Sequence, residues 1–335
     1  MAYDPTLEDI IDVRATLLRA GMVADLIDDI LDYAEYWHHS TSRADLDVRI
    51  RALPASGLSE DYHGNKFLIR SWPVGFTGTY RNDDSGGINV ARAFSELKYR
   101  ETPIKAAPLA KPCGKKYFEG LAPYAMPRLD RPVRKVVFRI TSHDQGWTTH
   151  STTGSFHDSC TWFDVGLERF DAEHSCPSCN DADSPGPPLC KLRPIEPPPV
   201  EVPVPSPPNS SAGSSPNRNP TLATSPGPSP GWPRGEGRYE YALRERFNEW
   251  EIQRNRVAQY QWHDYTVAWA RTDNVRPGSV DAQALFLLGE NPSARDGKFV
   301  GDLRVGDVIT VWGRSVQAGW ENYVRSVEID VYWAV

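Results

Sequence analysis

Alternating apolar and polar residues mark the last thirteen positions of the chain. Val327, Ile329, Val331, Trp333 and Val335 are apolar at every second position, with Glu, Asp and Tyr among the residues between them. A period of two places such residues on one face of a β-strand. Because an unpaired apolar strand invites aggregation, we predict that this strand pairs inside a sheet.

The same alternation predicts a strand at residues 134–141, where Val136, Phe138 and Ile140 point to one side. Further strand candidates, rich in β-branched and aromatic residues, are residues 66–72, 160–167, 265–270 and 308–312. Short strands separated by turns predict a mainly β fold, an antiparallel β-sandwich or jelly roll. We expect the apolar faces of the strands at 134–141 and at the C-terminal end to share one interior.

The N-terminal region carries a helical period instead. Between residues 7 and 37, apolar side chains recur three and four positions apart, and acidic residues occupy the other face. Gly21 divides this pattern, so we predict a helical hairpin within residues 1–45. Residues 46–130 have a mixed pattern and are expected to pack on the sandwich. Residues 238–256 predict one more helix, leading back into the sheet.

A proline-rich stretch interrupts the β-rich half of the chain. Residues 171–235 contain 18 of the 29 prolines, and such a composition buries too little apolar surface to offset chain entropy. We predict that residues 171–237 form a disordered or polyproline II insertion. Residues 131–170 and 240–335 then form one sandwich, and the insertion is a loop, not a domain border.

Charge and composition narrow the possible partners. The 37 basic and 44 acidic residues give a net charge of -7, whereas nucleic-acid binding needs clustered Lys and Arg, so we expect no nucleic-acid partner. The first residues lack a secretory pattern, and no apolar run is long enough to span a bilayer, so we expect no membrane association. Five cysteines fit a reducing compartment, and we expect a cytoplasmic or nuclear protein. No glycine-rich phosphate loop is present, and we expect no cofactor.

Two similar loops follow predicted strands and form the candidate ligand site. Asp144, Gln145 and Trp147 lie in one loop, and Gln317 and Trp320 lie in the other, each loop with a turn glycine before its Trp. Loops at the rim of a sandwich commonly carry binding sites. A Trp face can stack on a sugar ring while Asp and Gln bond its hydroxyls. The alternative is that each Trp caps the end of the core.

A weak metal motif precedes the proline-rich stretch. His174, Cys176, Cys179 and Cys190 have the spacing H-x-C-x2-C-x10-C. Zinc prefers four thiolate or imidazole ligands, often with a C-x2-C turn. The second cysteine pair of a zinc site is missing, so we predict solvated cysteines and no bound metal.

Three segments resemble a family of uncharacterised filamentous-fungal proteins. They are RPVRKVVFRITSHDQGW at 131–147, CTWFDVGLERF at 160–170 and GDLRVGDVITVWGRSVQAGWENYVRSVEIDVYWAV at 301–335. The DQGW loop, the TWFDV strand and the final strand together resemble the galactose-binding-like jelly roll of plant phloem lectins. The resemblance implies the fold, but it carries over no sugar-contacting residue.

The helix at residues 22–37, MVADLIDDILDYAEYW, resembles the first helix of an F-box. It has the cadence Leu-Ile-x-x-Ile-Leu, although the usual Leu-Pro opening is absent. The resemblance implies docking to a ubiquitin-ligase scaffold. Full burial of Leu26 and Ile30 against the sandwich would argue against this interpretation.

We therefore predict a non-enzymatic intracellular binding module that recognises a protein or a glycan through the rim loops of the sandwich. One alternative is a substrate adaptor of a ubiquitin ligase. Another is a hydrolase acting on polysaccharide, which would need two carboxylates about 5 to 10 Å apart beside Trp147.

Overall fold

The computed structural model describes residues 4–54, 62–76, 107–119, 127–148, 152–174, 189–202, 238–242 and 244–335. The helices in these ranges are α1 Leu7–Arg19, α2 Ala24–Tyr33, α3 Lys115–Glu119, α4 Val280–Leu287 and α5 Lys298–Asp302. The strands are β1 His38–Arg51, β2 Leu53–Pro54, β3 Tyr62–Arg70, β4 Val133–His143, β5 Thr161–Phe170, β6 Leu192–Glu196, β7 Pro199–Val202, β8 Arg238–Tyr241, β9 Glu251–Arg254, β10 His263–Ala270, β11 Val308–Val316 and β12 Glu321–Trp333.

Two antiparallel sheets form the body of the protein. One has the order β1-β12-β4-β10, and the other has the order β2-β3-β11-β5-β6, with β9 also paired to β5. If β2 and β6 at the edges and the β7-β8 ribbon are set aside, eight strands remain. Numbered 1 to 8 in chain order, these strands form one sheet of order 1-8-3-6 and another of order 2-7-4-5. This is the strand order of a jelly roll. The predicted antiparallel sandwich is confirmed.

The interior lies between the two sheets. Phe138 of β4 stands opposite Ile329 of β12 in the register of the first sheet. Both belong to one buried apolar cluster that also contains Phe163 and Val311 of the second sheet. The prediction that residues on either side of the proline-rich stretch share one interior is confirmed.

The N-terminal helices form a hairpin that packs on the end of the sandwich. Thr6 caps α1 reciprocally with Asp9, which fixes where the helix begins. Ile10, Ile27 and Leu31 are buried between the helices and are in contact with Val335. The predicted hairpin is confirmed.

The boundaries expected for the N-terminal half need correction. The helical part ends at Tyr33, and β1 already begins at His38, so residues 1–45 are not wholly helical. β1 pairs with β12 and β3 pairs with β11. The strand predicted at residues 66–72 is thus present in β3. The sandwich therefore includes β1 and β3 in addition to residues 131–170 and 240–335.

The proline-rich region is partly ordered, which corrects the prediction of disorder throughout residues 171–237. β6 pairs with β5, and β7 pairs with β8 to form a two-stranded ribbon. Val202 and Arg238 are partners in this ribbon, so the chain leaves and returns at the same place. Residues 175–188 and 203–237 lie outside the described residues. The helix predicted at residues 238–256 is wrong, because β8 and β9 occupy its ends.

Candidate functional site

The two predicted rim loops lie side by side. They leave β4 and enter β12, two strands that pair with His143 opposite Tyr323. Gln145 joins the loops, because its side-chain oxygen accepts a hydrogen bond from the backbone N–H of Glu321 at 3.2 Å. Its side-chain nitrogen donates to the carbonyl of Trp147 at 2.9 Å. Gln145 therefore positions the Trp147 loop.

Trp147 forms an aromatic platform on the protein surface. Its residue is 58% exposed, and its ring lies on Gly319 of the neighbouring loop. A Cβ atom added to Gly319 would come within 3.2 Å of the indole ring, so glycine permits this close approach. One part of the ring contacts Gly319, and more than half of the residue is open to solvent.

Asp144 differs from its predicted role. Its side chain is fully buried, and its oxygens accept hydrogen bonds from the backbone N–H groups of Gly146, Ala258 and Gln259 at 2.6 to 2.9 Å. Burial raises the pKa of this carboxyl, and the three donors act in the opposite direction. Asp144 joins the β4–β5 and β9–β10 loops and has no face left for a ligand.

Trp320 also differs from the predicted aromatic platform. It is only 7% exposed and packs with Cys160 and Val257 in a small apolar cluster. The backbone N–H of Ala52 donates to the carbonyl of Trp320 at 3.3 Å. Trp320 is a cap at the end of the core, which is the alternative weighed for this pair of residues. Only Trp147 presents an open ring.

A pocket of about 240 Å³ lies beside the same loop. Its lining residues are Asp158, Cys160, Arg246, Gln317 and Trp320. Gln317 and Trp320, the first and last residues of one turn, line the pocket. Gly319 of the same turn contacts the ring of Trp147. Platform and pocket are therefore parts of one surface.

The pocket combines a cation, a carboxylate and an amide. Arg246 donates to the carbonyl of Ser159 at 3.1 Å, which holds its guanidinium beside the buried Cys160. The carboxylate of Asp158 is bonded to the ring of His157 at 2.9 Å and is half exposed. Gln317 is exposed and has a left-handed backbone conformation, which turns the chain sharply at the pocket edge.

The thiol in this pocket is poorly suited to nucleophilic chemistry. Burial raises the pKa of Cys160 to about 11, against a smaller opposing effect of Arg246. Because the thiolate is the reactive form, very little of it exists near neutral pH. The chemistry of the pocket favours hydrogen bonding to a ligand over covalent catalysis.

Two carboxylates of the loops around Trp147 are already engaged. Asp144 is bound by backbone amides, and Glu321 forms ion pairs with Arg49 and Arg51 at 2.9 and 3.4 Å. A hydrolase would need an acid and a base free to reach a substrate. Neither of these two groups provides one, and hydrolysis stays a prediction without support from the described residues.

The proposed cysteine motif is only partly described. Cys176 and Cys179 lie outside the described residues, whereas His174 and Cys190 lie within them. Within the described ranges, no group of three or more His, Cys, Asp or Glu side chains could hold a metal ion.

Two pocket residues were missed by sequence analysis. Asp158 lies in the loop between β4 and β5, and Arg246 lies beyond the proline-rich stretch, 88 positions along the chain. Neither stands in a motif, because only the fold brings the two loops together. A charged residue close to a strand end was the only available signal.

Comparisons with models of protein families, with curated proteins and with solved structures find no match for this chain. Within the described residues, no helix is both long and apolar enough to cross a membrane.

Proposed function

We propose that this protein is a non-enzymatic binding module that recognises a glycan at the loop end of its jelly roll. The observation that carries the proposal is the exposed ring of Trp147, which contacts Gly319 of the turn that lines a polar pocket. The proposal replaces Asp144 and Trp320 as ligand contacts by Asp158 and Arg246, and it keeps Trp147 and Gln317.

The physical chemistry of sugars supports this choice of ligand. A sugar ring has an apolar face that packs on an aromatic ring, and its edge carries hydroxyls that both donate and accept hydrogen bonds. Arg246 supplies donors, Asp158 supplies acceptors, and the amide of Gln317 supplies both. Binding sites of this kind combine apolar contact area with a few polar groups that fix orientation.

The rigidity of the site also favours binding. Gln145 fixes the backbone of Trp147, and Asp144 ties together the two loops behind it. A preorganised surface loses little conformational entropy when it binds a ligand. The arrangement therefore suits recognition without a change of shape.

A glycan array followed by titration calorimetry of the full-length chain tests the proposal. We expect a reproducible glycan ligand whose affinity falls at least about tenfold in Trp147→Ala and is largely retained in Trp147→Phe, because truncation of a central aromatic contact costs about 2 kcal/mol or more and about 1.4 kcal/mol corresponds to tenfold. Arg246→Ala should weaken binding as well. Tyr33→Ala removes an exposed aromatic ring on α2 and is the matched control.

Two results would contradict the proposal. The first is an array without any ligand, and in that case a protein ligand at Trp147 becomes the better explanation. The second is a glycan that binds Trp147→Ala as tightly as the unchanged chain. Reproducible turnover of a bound glycan by the purified protein would contradict its non-enzymatic part.

A further inference from the structure

Helix α2 has an apolar face that the described part of the chain leaves exposed. Ile27 and Leu31 are buried against α1. On another side of the helix, Leu26, Ile30 and Tyr33 are 48%, 38% and 94% exposed. With the exposed Val23 at the N-cap, these residues recur three and four positions apart and form one stripe, which we call the α2 ridge.

The ridge contributes little apolar burial to the described fold. An exposed side chain of this size forgoes about 1.5 to 3 kcal/mol that its burial would contribute. Alanine or lysine would support the helix at these positions at least as well as Ile or Tyr. A contiguous apolar stripe on a surface helix is typical of an interaction site. Full burial of Leu26 and Ile30 against the sandwich would have argued against docking through this helix. Both residues are exposed instead.

The carboxylates of α2 divide into two groups. Asp28 is paired with Arg14 and Arg128, and Asp32 accepts hydrogen bonds from Arg134 and Trp37. These pairs fasten the helix to the body of the protein.

Asp25 and Asp29 lie along the edge of the α2 ridge, at positions next to Leu26 and Ile30. Both are exposed, and neither forms an ion pair within the described part of the chain. The ridge therefore has an acidic border that the protein itself does not neutralise.

The charge of the whole chain is concentrated in this region. Residues 4–36 contain nine acidic and two basic residues, so their net charge equals the -7 of the full chain, and the rest is balanced. A second copy docking through the same ridge would bring like charges together. Charge complementarity selects a basic partner instead.

We propose that the α2 ridge docks an amphipathic helix of another protein, whose apolar face is bordered by Lys or Arg residues that meet Asp25 and Asp29. A ridge on one helix is matched by the grooves between side chains on a second helix. Anchors at positions i, i+4 and i+7 are the usual pattern of helix recognition. The proposal is independent of the glycan site, which lies on the loops of the sandwich.

Three synthetic helical peptides with one apolar face and a border of Lys, Glu or Ser provide the test. Binding to the full-length chain is measured by fluorescence anisotropy at low and at high salt. We expect the Lys-bordered peptide to bind at least about tenfold more tightly than the Glu-bordered one and to weaken as salt is added. Ile30→Asp should weaken its binding about tenfold or more, and Trp147→Ala should leave it unchanged.

A charge exchange keeps the test decisive if Ile30→Asp fails to fold. The double variant Asp25→Lys/Asp29→Lys alters only exposed side chains, and it should reverse the preference toward the Glu-bordered peptide. Absence of binding by the Lys-bordered peptide overturns the proposal. Equal binding of all three peptides also overturns it, because it indicates contact without selection by charge.

Discussion

Gln145 bonds to the backbone of Glu321 across the two loops that frame the candidate site. The side-chain nitrogen of Gln145 donates to the carbonyl of Trp147, so one amide group links the Trp147 loop to the neighbouring loop. We expect Gln145→Ala to lower the free energy of unfolding by about 1 kcal/mol and to speed hydrogen exchange at the amide of Glu321. Exchange mass spectrometry of peptides spanning residues 317–321 measures this. Gln283→Ala, on the exposed side of α4, is the control. Equal exchange rates in the two variants would show that the hydrogen bonds of Gln145 do not stabilise the loops.

Asp144 ties two loops together through three buried hydrogen bonds. Its replacement by Ala leaves those backbone donors without an acceptor, so the free energy of unfolding should fall by about 3 kcal/mol. Urea titration monitors the change. Asp12→Ala removes an exposed carboxylate from α1 and should stay within about 0.5 kcal/mol. A loss for Asp144→Ala no larger than for this control would mean that solvent replaces the bonds.

The buried carboxyl of Asp164 makes stability depend on pH. Burial raises its pKa to about 7, the nearby Glu251 adds to the increase, and Arg314 opposes it. The folded state therefore binds a proton between pH 4 and 7 that the unfolded state has lost. Raising the pH through this range should lower the contribution of Asp164 to stability.

Asp164→Asn tests this sign. Asn keeps an acceptor for the indole N–H of Trp162 but cannot ionise. The unfolding free energy of the unchanged chain, minus that of the variant, should decrease from pH 4 to pH 7 and then level off. A difference that grows with pH would mean that Arg314 lowers the pKa of the carboxyl overall.

The β7-β8 ribbon predicts that residues 203–237 can be removed. Val202 and Arg238 are already neighbours, so a short Gly-Ser turn can replace everything between them. Shortening the loop reduces the entropy cost of closing it, which should leave stability unchanged or raise it by up to about 2 kcal/mol. Thermal unfolding of the shortened chain measures this, and a loss of more than about 1 kcal/mol would show that the removed residues contact the sandwich.

The sequence predicts strands well where one face is apolar. The strands at 134–141 and at the C-terminal end were found because large apolar residues alternate there. The first half of β1 was missed although it alternates in the fold, since its inward residues are Ser40, Ser42 and Ala44. The hydroxyl of Ser42 accepts from the backbone N–H of Trp72, so a polar side chain is tolerated inside. Residues 46–50, LDVRI, alternate apolar and charged side chains and carry the signal of a strand, whereas residues 38–45 carry none.

β6 and β9 were missed for different reasons. Glu251 and Arg254 of β9 are fully buried and bond to each other at 2.5 Å, whereas charged residues in a sequence normally indicate a surface. β6 contains Pro194 and was assigned to a disordered stretch. It lies at the edge of its sheet, where a proline does not interrupt the pairing.

The site was only partly predictable. Trp147 and Trp320 each follow a turn that contains Gln and ends in Gly, yet Trp147 is exposed and Trp320 is buried, because only Trp320 packs in the cluster around Cys160. The sequence specifies the turns but not which ring finds a place in the core. Arg246 enters from beyond the proline-rich stretch and depends entirely on the topology.

In each sheet, a central strand is synthesised after both of the strands with which it pairs. β12 lies between β1 and β4, and β11 lies between β3 and β5, so the middle of each sheet is made of residues that leave the ribosome after all their neighbours. The earlier strands keep unpaired edges while about 140 to 270 further residues are translated, and such edges are prone to mispairing. A nascent chain released before Glu321 would lack the central strand β12 of the first sheet, so we expect premature termination there to yield an insoluble product and not a smaller folded protein.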